Sequence, residues 1–201
     1  MATTIRRIIL LVALCATSVL AVPTPQHYWN FDSNANDGVG SNHAATTNVT
    51  HSTSVYKAGG GSYQWGSSAY MTVSNTFPQG SSARSVSCWL KTSYTGLADI
   101  LSYGSPYNGA AFTVGHWSSQ MFNSSWCCPQ YQVSVSNLTD NNWHNLIFSF
   151  DGTNMRNYYD GVIQDTRGFS IYTWGNTGAG NAFIGKRISG LTEPLGSGPY
   201  L

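Results

Sequence analysis

The chain has 201 residues, of which 41% are apolar, 13% aromatic and only 8% charged, whereas about 25% of the residues are charged in an ordinary soluble domain. Nine Lys and Arg nearly balance eight Asp and Glu, for a formal net charge of +1. This balance excludes the basic footprint of a nucleic-acid-binding protein and the highly charged composition of a disordered tail.

The N-terminus has the ordered features of a secretory signal. Arg6–Arg7 precede an apolar run, Ile8–Ala16, and small residues follow as far as Ala21. Because Thr17–Ser18 end the run well short of the roughly 20 apolar residues that a membrane helix needs, the sequence predicts cleavage after Ala21 rather than a retained anchor. We expect residues 1–21 to be a signal peptide and the mature chain to be secreted, extracellular and without a membrane span.

Short apolar or alternating segments, separated by Gly, Asn, Asp and Pro, recur along the rest of the chain. No window of a dozen residues after the signal keeps the apolar spacing of a helix. The predicted strands, in chain order, are His27–Phe31, Tyr63–Trp65, Ala69–Val73, Val86–Lys91, Asp99–Tyr103, Ala111–His116, Gln130–Val135, Trp143–Phe150, Met155–Tyr159, Val162–Asp165 and Ala182–Ile184. Regular short strands with turn signals between them predict an all-β sandwich or barrel in a single domain.

The strongest local pattern is a three-strand meander near residue 155. The pairs Asp151-Gly152 and Asp160-Gly161 lie between strand-like runs and supply the positive φ angles that tight hairpin turns require. Strand alternation predicts two inward-facing sets, Leu146, Phe148 and Phe150 on one strand and Val86, Cys88 and Leu90 on another, with Ser87, Trp89 and Lys91 facing outward.

Three N-glycosylation sequons occur in the mature chain. They begin at Asn48, Asn123 and Asn137, and none has proline in its middle position. In a secreted protein from a source that glycosylates, each one predicts a surface loop or a strand end.

Between Tyr28 and Arg187 the chain resembles the laminin-G-like, concanavalin A-like lectin/glucanase jelly rolls. The segments that carry the resemblance are Tyr28–Asp37, Ser85–Thr92, Trp143–Leu146, Phe150–Thr153, Tyr158–Gly161 and Phe183–Lys186. Their order is similar to that of the family and implies an antiparallel, two-sheet jelly-roll β-sandwich over residues 22–190.

The resemblance also implies a closing strand after Phe183–Lys186, beside the first strand of the fold. Residues 191–201 are instead a Gly/Pro-rich tail, so we expect the final strand to be missing, through truncation or because another chain donates it. The first strand, Tyr28–Phe31, would then keep an open edge that favours self-association.

The sequence offers little for catalysis. Glucanases of this fold usually carry a pair of Glu, because retaining hydrolysis needs two carboxyl groups about 5–5.5 Å apart. This chain has a single glutamate, Glu193, and strand spacing puts Asp160 and Asp165 on opposite faces. It has no Gly-x-Ser-x-Gly elbow and no zinc-type spacing of His or Cys. We therefore expect a protein that is not an enzyme, with a glycoside hydrolase as the least favoured alternative.

Calcium is the cofactor that the resemblance suggests, since the fold often holds one at a loop rim through oxygen ligands. Residues 32–42 offer carboxylate, amide and carbonyl oxygens, with Asp37 and Asn42 as the candidate ligands. The alternative is a turn in which Asp and Asn side chains bond their own backbone.

Carbohydrate binding needs aromatic planes for the C–H faces of sugars and amides for their hydroxyl groups. Loop-like stretches of this chain hold such candidates, and they are Trp117, Trp126, Tyr107, Trp174 and Asn108. The alternative for each aromatic residue is a position in the core or on a sheet face.

Three cysteines remain after signal removal, and an odd count leaves a free thiol or an intermolecular bridge. Cys88 faces inward by alternation, which predicts a buried core thiol. The adjacent Cys127 and Cys128 lie in a predicted loop and are candidates for a vicinal disulfide. The alternatives are a bridge from one of them to Cys88 or to a cysteine beyond residue 201.

Taken together, the sequence predicts a secreted, non-catalytic recognition module that binds a glycan or an extracellular glycoprotein. An adhesion or structural module that binds other proteins is the alternative. Since a fold of this kind hosts unrelated activities, the functional expectation depends on the resemblance.

Overall fold

The computed structural model describes residues 24–107, 109–125, 131–168, 180–188 and 201. Within these ranges the chain forms eleven strands, and no helix there is long and apolar enough to cross a membrane. The strands are β1 (Ala45–Ser52), β2 (Ser62–Val73), β3 (Arg84–Lys91), β4 (Leu97–Gly104), β5 (Ala111–Trp117), β6 (Gln120–Ser124), β7 (Tyr131–Ser134), β8 (Trp143–Phe150), β9 (Asn154–Tyr159), β10 (Val162–Gly168) and β11 (Asn181–Ile184). The proposed signal peptide and residues 191–200 lie outside the described part.

The strands form two antiparallel sheets. The larger has seven strands in the order β1-β2-β11-β4-β5-β6-β7, and the smaller has four in the order β10-β9-β8-β3. Strand β11 lies between β2 and β4, and β3 pairs with β8, so partners distant in sequence are neighbours in each sheet. This arrangement confirms the predicted all-β, two-sheet jelly-roll sandwich.

Side chains from the inner faces of both sheets make up the core. Burial alternates along β8, where Leu146, Phe148 and Phe150 are all buried. On β3, Leu90 is fully buried, and Val86 and Cys88 pack against the same core. Burying a large apolar side chain is worth about 1.5–3 kcal/mol, so the alternation that the sequence contains fixes which face of each strand turns inward.

The meander β8–β9–β10 forms as predicted, with tight turns at both Asp-Gly pairs. Asp160 and Gly161 have φ angles of 48° and 80°, and they connect Tyr159 to its partner Val162. Positive φ at both central residues is the geometry that matches the right-handed twist of the flanking strands. Gly152, with a φ of 99°, serves the other turn.

The predicted first strand, His27–Phe31, is wrong. Phe31 has a φ of 59°, and the backbone polar groups of Tyr28 bond within the same segment, to the amide of Gly38 at 2.7 Å and to the Asp37 carboxylate at 3.0 Å. These local bonds replace a strand ladder. The open edge that we expected at Tyr28–Phe31 is therefore absent.

Two strands that the sequence pattern missed are β1 and β6. Strand β1 reads ATTNVTHS and is largely exposed, so it lacks the apolar alternation that reveals a strand, although threonine favours the β conformation. It lies at an edge of the larger sheet. Strand β6 is only five residues long and follows β5 through a tight turn. Both become strands because a neighbour supplies the ladder.

Leu201 lies beside the start of β2. Its amide donates to the carbonyl of Tyr63 at 3.1 Å, and its carbonyl accepts from the Tyr63 amide at 3.1 Å. Its side chain packs against the core. Leu201 therefore lies on the side of β2 that is away from β1. Strand β11 lies on the same side of β2 but pairs only with its other end, Met71–Val73.

Candidate functional site

The outer face of the four-stranded sheet carries two tryptophans side by side. Trp89 is paired in register with Asn145, and Lys91 with Trp143, so all four side chains point away from the core. Diagonal neighbours on one face of an antiparallel pair lie within reach of large aromatic side chains. Trp89 is 39% exposed, so part of its indole is accessible on the outer face of the sheet.

These side chains border an open groove with a volume of about 480 Å³. Its walls come from β3, β8, the β9–β10 turn and the loop between β1 and β2. The lining residues are Lys57, Trp89, Trp143, His144, Asn145, Asp160 and Gly161.

Lys57 covers the exposed ring of Trp89. The loop between β1 and β2 belongs to the larger sheet, and it reaches past the edge of the smaller one to bring the Lys57 Nζ within 4.6 Å of the Trp89 ring centroid. An ammonium over the face of an indole is attracted by the ring quadrupole, with about 0.5–1 kcal/mol at an exposed site.

Asn145 and Asp160 form the polar floor of the groove. The Asn145 amide donates to Asp160 Oδ1 at 2.8 Å, the Asp160 amide donates to the Asn145 carbonyl at 2.9 Å, and Asn145 Nδ2 donates to the carbonyl of Cys88 at 3.1 Å. Within the described residues, Asn145 Oδ1 accepts no hydrogen bond. Asn145 lines the groove, so this oxygen is an acceptor available at its wall.

His144 joins the β9–β10 turn to the loop before β8. Its Nδ1 lies 2.8 Å from Asp160 Oδ2 and its Nε2 lies 3.1 Å from Asp140 Oδ1, while its ring stacks on Tyr159 with the centroids 4.9 Å apart. Burial opposes the charged ring, but the bonds to Asp160 and Asp140 outweigh it and raise the pKa of His144 above its ordinary value. The geometry suits an imidazolium that donates to two carboxylates.

This arrangement predicts a loss of stability at alkaline pH. The stabilisation by the His144 imidazolium is complete below the ordinary pKa of 6.5 and is lost as the pH rises through the raised pKa of the folded state. We expect the free energy of unfolding of the wild type, measured by urea denaturation, to decline as the pH rises above 6.5 and through the raised pKa of the folded state. In His144→Gln we expect it to change less over the same pH range.

The buried His116 is the internal reference for this experiment. Burial lowers the pKa of His116 to about 4, so its contribution to stability changes only below the ordinary histidine pKa and leaves the alkaline window undisturbed. Equal slopes for the wild type and His144→Gln in that window would refute the assignment of a charged His144.

The groove suits binding better than hydrolysis. Among the residues that line it, Asp160 is the one carboxylate, and glycoside hydrolysis by the usual routes needs two. Asp160 is engaged with His144 and with the backbone amide of Asn145.

The structure does not bring the aromatic residues predicted from the loops into one site. Tyr107, 69% exposed, precedes β5, whereas Trp117, 46% exposed, ends it. The length of that strand, about 20 Å at the usual rise per residue, therefore separates them. The other candidates, Asn108, Trp126 and Trp174, lie outside the described residues.

Cys127 and Cys128 also lie outside the described residues, so their pairing stays a prediction. Cys88 is a free cysteine whose side chain packs against the core. Burial raises the pKa of its thiol to about 12, as expected for an unreactive core cysteine.

The candidate calcium ligands are occupied by hydrogen bonds. Asp37 Oδ2 pairs with His27 at 2.8 Å, and its Oδ1 accepts from the amides of Tyr28 and Val39. Burial alone would raise the pKa of Asp37, but these bonds hold it well below its ordinary value.

Asn42 is committed in the same way. Its Oδ1 accepts from the Ser74 amide at 2.7 Å, and its Nδ2 donates to the Ser74 carbonyl at 2.8 Å. No group of three or more His, Cys, Asp or Glu side chains within the described ranges could hold a metal ion. In this structure Asp37 and Asn42 fasten residues 24–44 to the end of β2, and calcium binding by them stays a prediction.

The three sequons differ in exposure. Asn48, on β1, and Asn137, before β8, are both exposed. Asn123 departs from the predicted surface position, since it is fully buried on β6 and its Nδ2 donates to Asn157 Oδ1 at 3.1 Å across the core. The folded chain leaves no space for a glycan there.

The residues that sequence reasoning missed are Trp89, Trp143 and Lys57. Alternation already predicted that Trp89 faces outward on its strand. Finding Trp143 beside it required the register of β3 with β8, and finding Lys57 required the path of a loop from the other sheet.

These features define a class of protein, a jelly-roll sandwich with an open aromatic groove on the outer face of its smaller sheet. Residues 65–196 match the sequence profile of the concanavalin A-like lectin/glucanases superfamily. The chain belongs to that superfamily, which confirms the resemblance found in its sequence. No curated protein matches the chain.

Solved structures share this fold at low sequence identity. Domain 4 of AbnA, a GH43 extracellular arabinanase from Geobacillus stearothermophilus in complex with arabinotriose, is 16% identical, with 86% of this chain and 87% of that chain covered and a TM-score of 0.64. The binding domain of Paraclostridial mosquitocidal protein 1 is 10% identical, with 82% and 44% covered and a TM-score of 0.61. Domains LG4-5 of the mouse laminin alpha1 chain are 12% identical, with 74% and 43% covered and a TM-score of 0.56. This chain spans less than half of the last two, and the likeness concerns the fold alone.

Proposed function

We propose that this chain is a secreted, non-catalytic recognition module that binds carbohydrate in the groove of Trp89 and Trp143. The observation that carries the proposal is an exposed indole on a rigid strand, next to the unoccupied acceptor oxygen of Asn145. The neighbour that was solved with arabinotriose supports a carbohydrate as the ligand. The signal-like N-terminus supports secretion.

The chemistry of a sugar matches these groups. The C–H face of a pyranose or furanose ring packs on the flat face of an indole, and the hydroxyl groups at its edge donate to fixed acceptors such as Asn145 Oδ1. Because Trp89 lies on a strand and the side-chain amide of Asn145 donates to the Cys88 carbonyl, the site is largely formed before the ligand arrives. The groove is open, so we expect a few sugar residues of a longer glycan to be bound.

The test is a glycan array followed by titration of the best ligand on Trp89→Ala. We expect this change to weaken binding at least about tenfold, which corresponds to roughly 1.4 kcal/mol, because the stacking surface is lost. The measurement is isothermal titration calorimetry, with near-UV circular dichroism and a thermal melt to establish that the variant is folded.

The matched control is Trp117→Ala, which removes an equally exposed tryptophan at the end of β5. We expect this variant to bind like the wild type. Unchanged binding by a folded Trp89→Ala would refute the groove as the site, and loss of binding in Trp117→Ala alone would move the site to the larger sheet.

A further inference from the structure

We propose that the groove selects acidic carbohydrate, and that Lys57 recognises the carboxylate of a uronic or sialic acid residue. This inference depends on the proposed function, since it names the class of glycan that the same groove would take. The observations behind it are the charged side chains around Trp89 and the hydrogen-bond partners that each of them has.

The Lys57 ammonium is available to a ligand. Its side chain is exposed and its Nζ lies over the Trp89 ring, and no carboxylate in the described part of the chain pairs with it. A ring face satisfies an ammonium only in part, because it offers no lone pairs to the three N–H donors. These donors are free to meet an anionic oxygen.

The carboxylates of Asp160 and Asp140 are already engaged by hydrogen bonds. Asp160 accepts from the His144 ring and from the Asn145 amide. Asp140 accepts from the other nitrogen of the same ring and from the Asn142 amide. Both carboxylates are therefore directed toward His144 rather than toward Lys57.

A second lysine adds to the positive side of the balance. Lys91, at the end of β3, is paired in register with Trp143, and its Nζ donates to the carbonyl of Asn141. Lys57 and Lys91 therefore both lie at this end of the sheet, where the Asp32 carboxylate also accepts from the Gly60 amide of the loop that carries Lys57. An anionic ligand in the groove is attracted by these two ammonium groups.

The position of Lys57 over the indole gives the groove a reason to discriminate. A neutral sugar that stacks on this face of Trp89 must displace the ammonium and offers it no anionic group in exchange. An acidic sugar that displaces the ammonium forms an ion pair with it at the same time, so the lysine moves from the ring to the carboxylate. The selectivity therefore comes as much from the penalty on neutral ligands as from the attraction of acidic ones.

The experiment compares two matched pairs of ligands on the wild-type protein. The first pair is trigalacturonic acid and its methyl ester, and the second is sialyllactose and lactose. We expect at least one acid to bind about tenfold or more tightly than its neutral partner at low salt. In roughly 0.5 M NaCl this difference in affinity should become smaller, because salt screens the charges.

Lys57→Met is the decisive variant, and Lys186→Met is its control. Lys186 Nζ also lies over aromatic rings, 4.2 Å from the Tyr70 centroid and 5.0 Å from that of Phe183, but on the larger sheet. We expect Lys57→Met to weaken the acid at least about fivefold, to leave the neutral partner unchanged or tighter, and Lys186→Met to change neither.

The outcomes separate the two proposals. If acid and neutral partners bind equally and both depend on Trp89, the selectivity proposal is refuted and the glycan-binding function stands. If the selectivity for acids persists in Lys57→Met, Lys57 is not the recognition residue. If no glycan of either kind binds the folded wild type, the proposed function itself fails.

Discussion

Asp99→Asn is expected to lower the free energy of unfolding by about 3–5 kcal/mol. Asp99, on β4, is fully buried and receives two hydrogen bonds from Arg187, at 2.8 Å from Nε and 2.9 Å from Nη2. The substitution removes the carboxylate charge from a buried, doubly hydrogen-bonded ion pair, which is far more costly than the loss of an exposed pair. In a chain of this size, a fall in melting temperature of roughly 6–20 °C should follow, measured by calorimetry or urea unfolding.

Two further variants make this prediction specific. Asp99→Leu combined with Arg187→Met should recover much of the loss, since an apolar pair carries no desolvation penalty. Arg156→Met breaks a pair of similar length, 2.7 Å to Asp151, but at the surface, where we expect less than about 1 kcal/mol. A loss of under 1 kcal/mol in Asp99→Asn would contradict the structural assignment of a buried ion pair.

The Asp99–Arg187 pair illustrates a limit of the sequence. Its two members are 88 positions apart, and the sequence around either residue does not predict that the two will pair. The pair forms because β11 inserts between β2 and β4, which places the residues after it next to β4. Long-range polar contacts of this kind depend on strand order, which alternation does not encode.

Local patterns were sufficient where a strand and its turn are adjacent. The β8–β10 meander follows from alternation and from the two Asp-Gly pairs, because both signals act over a few residues. The predicted His27–Phe31 strand is wrong because the carboxylate of Asp37 competes for the same backbone. Strand β1 was missed because an exposed edge strand needs no apolar face.

The candidate site shows the same division. Alternation placed Trp89 on an outward face, yet the tryptophans chosen for carbohydrate binding were those in predicted loops. The groove arises from the register that brings Trp143 next to Trp89 and from a loop of the other sheet that carries Lys57. Neither contact follows from the spacing of residues along the chain.

Phe148→Ala is the second large effect that we expect, at about 3–5 kcal/mol. Phe148 is fully buried at the middle of β8, with Val86 and Asn157 as its partners in the flanking strands. Truncation removes apolar burial and leaves a cavity between two sheets whose hydrogen-bonded strands limit how far the core can collapse.

The control is the neighbouring position on the same strand. Ile147 points to the outer face, opposite Ser87 and Tyr158, and is only partly buried, so Ile147→Ala should lower the free energy of unfolding by about 1 kcal/mol. Urea unfolding of both variants measures the contrast. Equal losses would mean that β8 is not half-buried with a period of two, and the assignment of Trp143 and Asn145 to the groove face would fail with it, because all three outward positions follow from the same alternation.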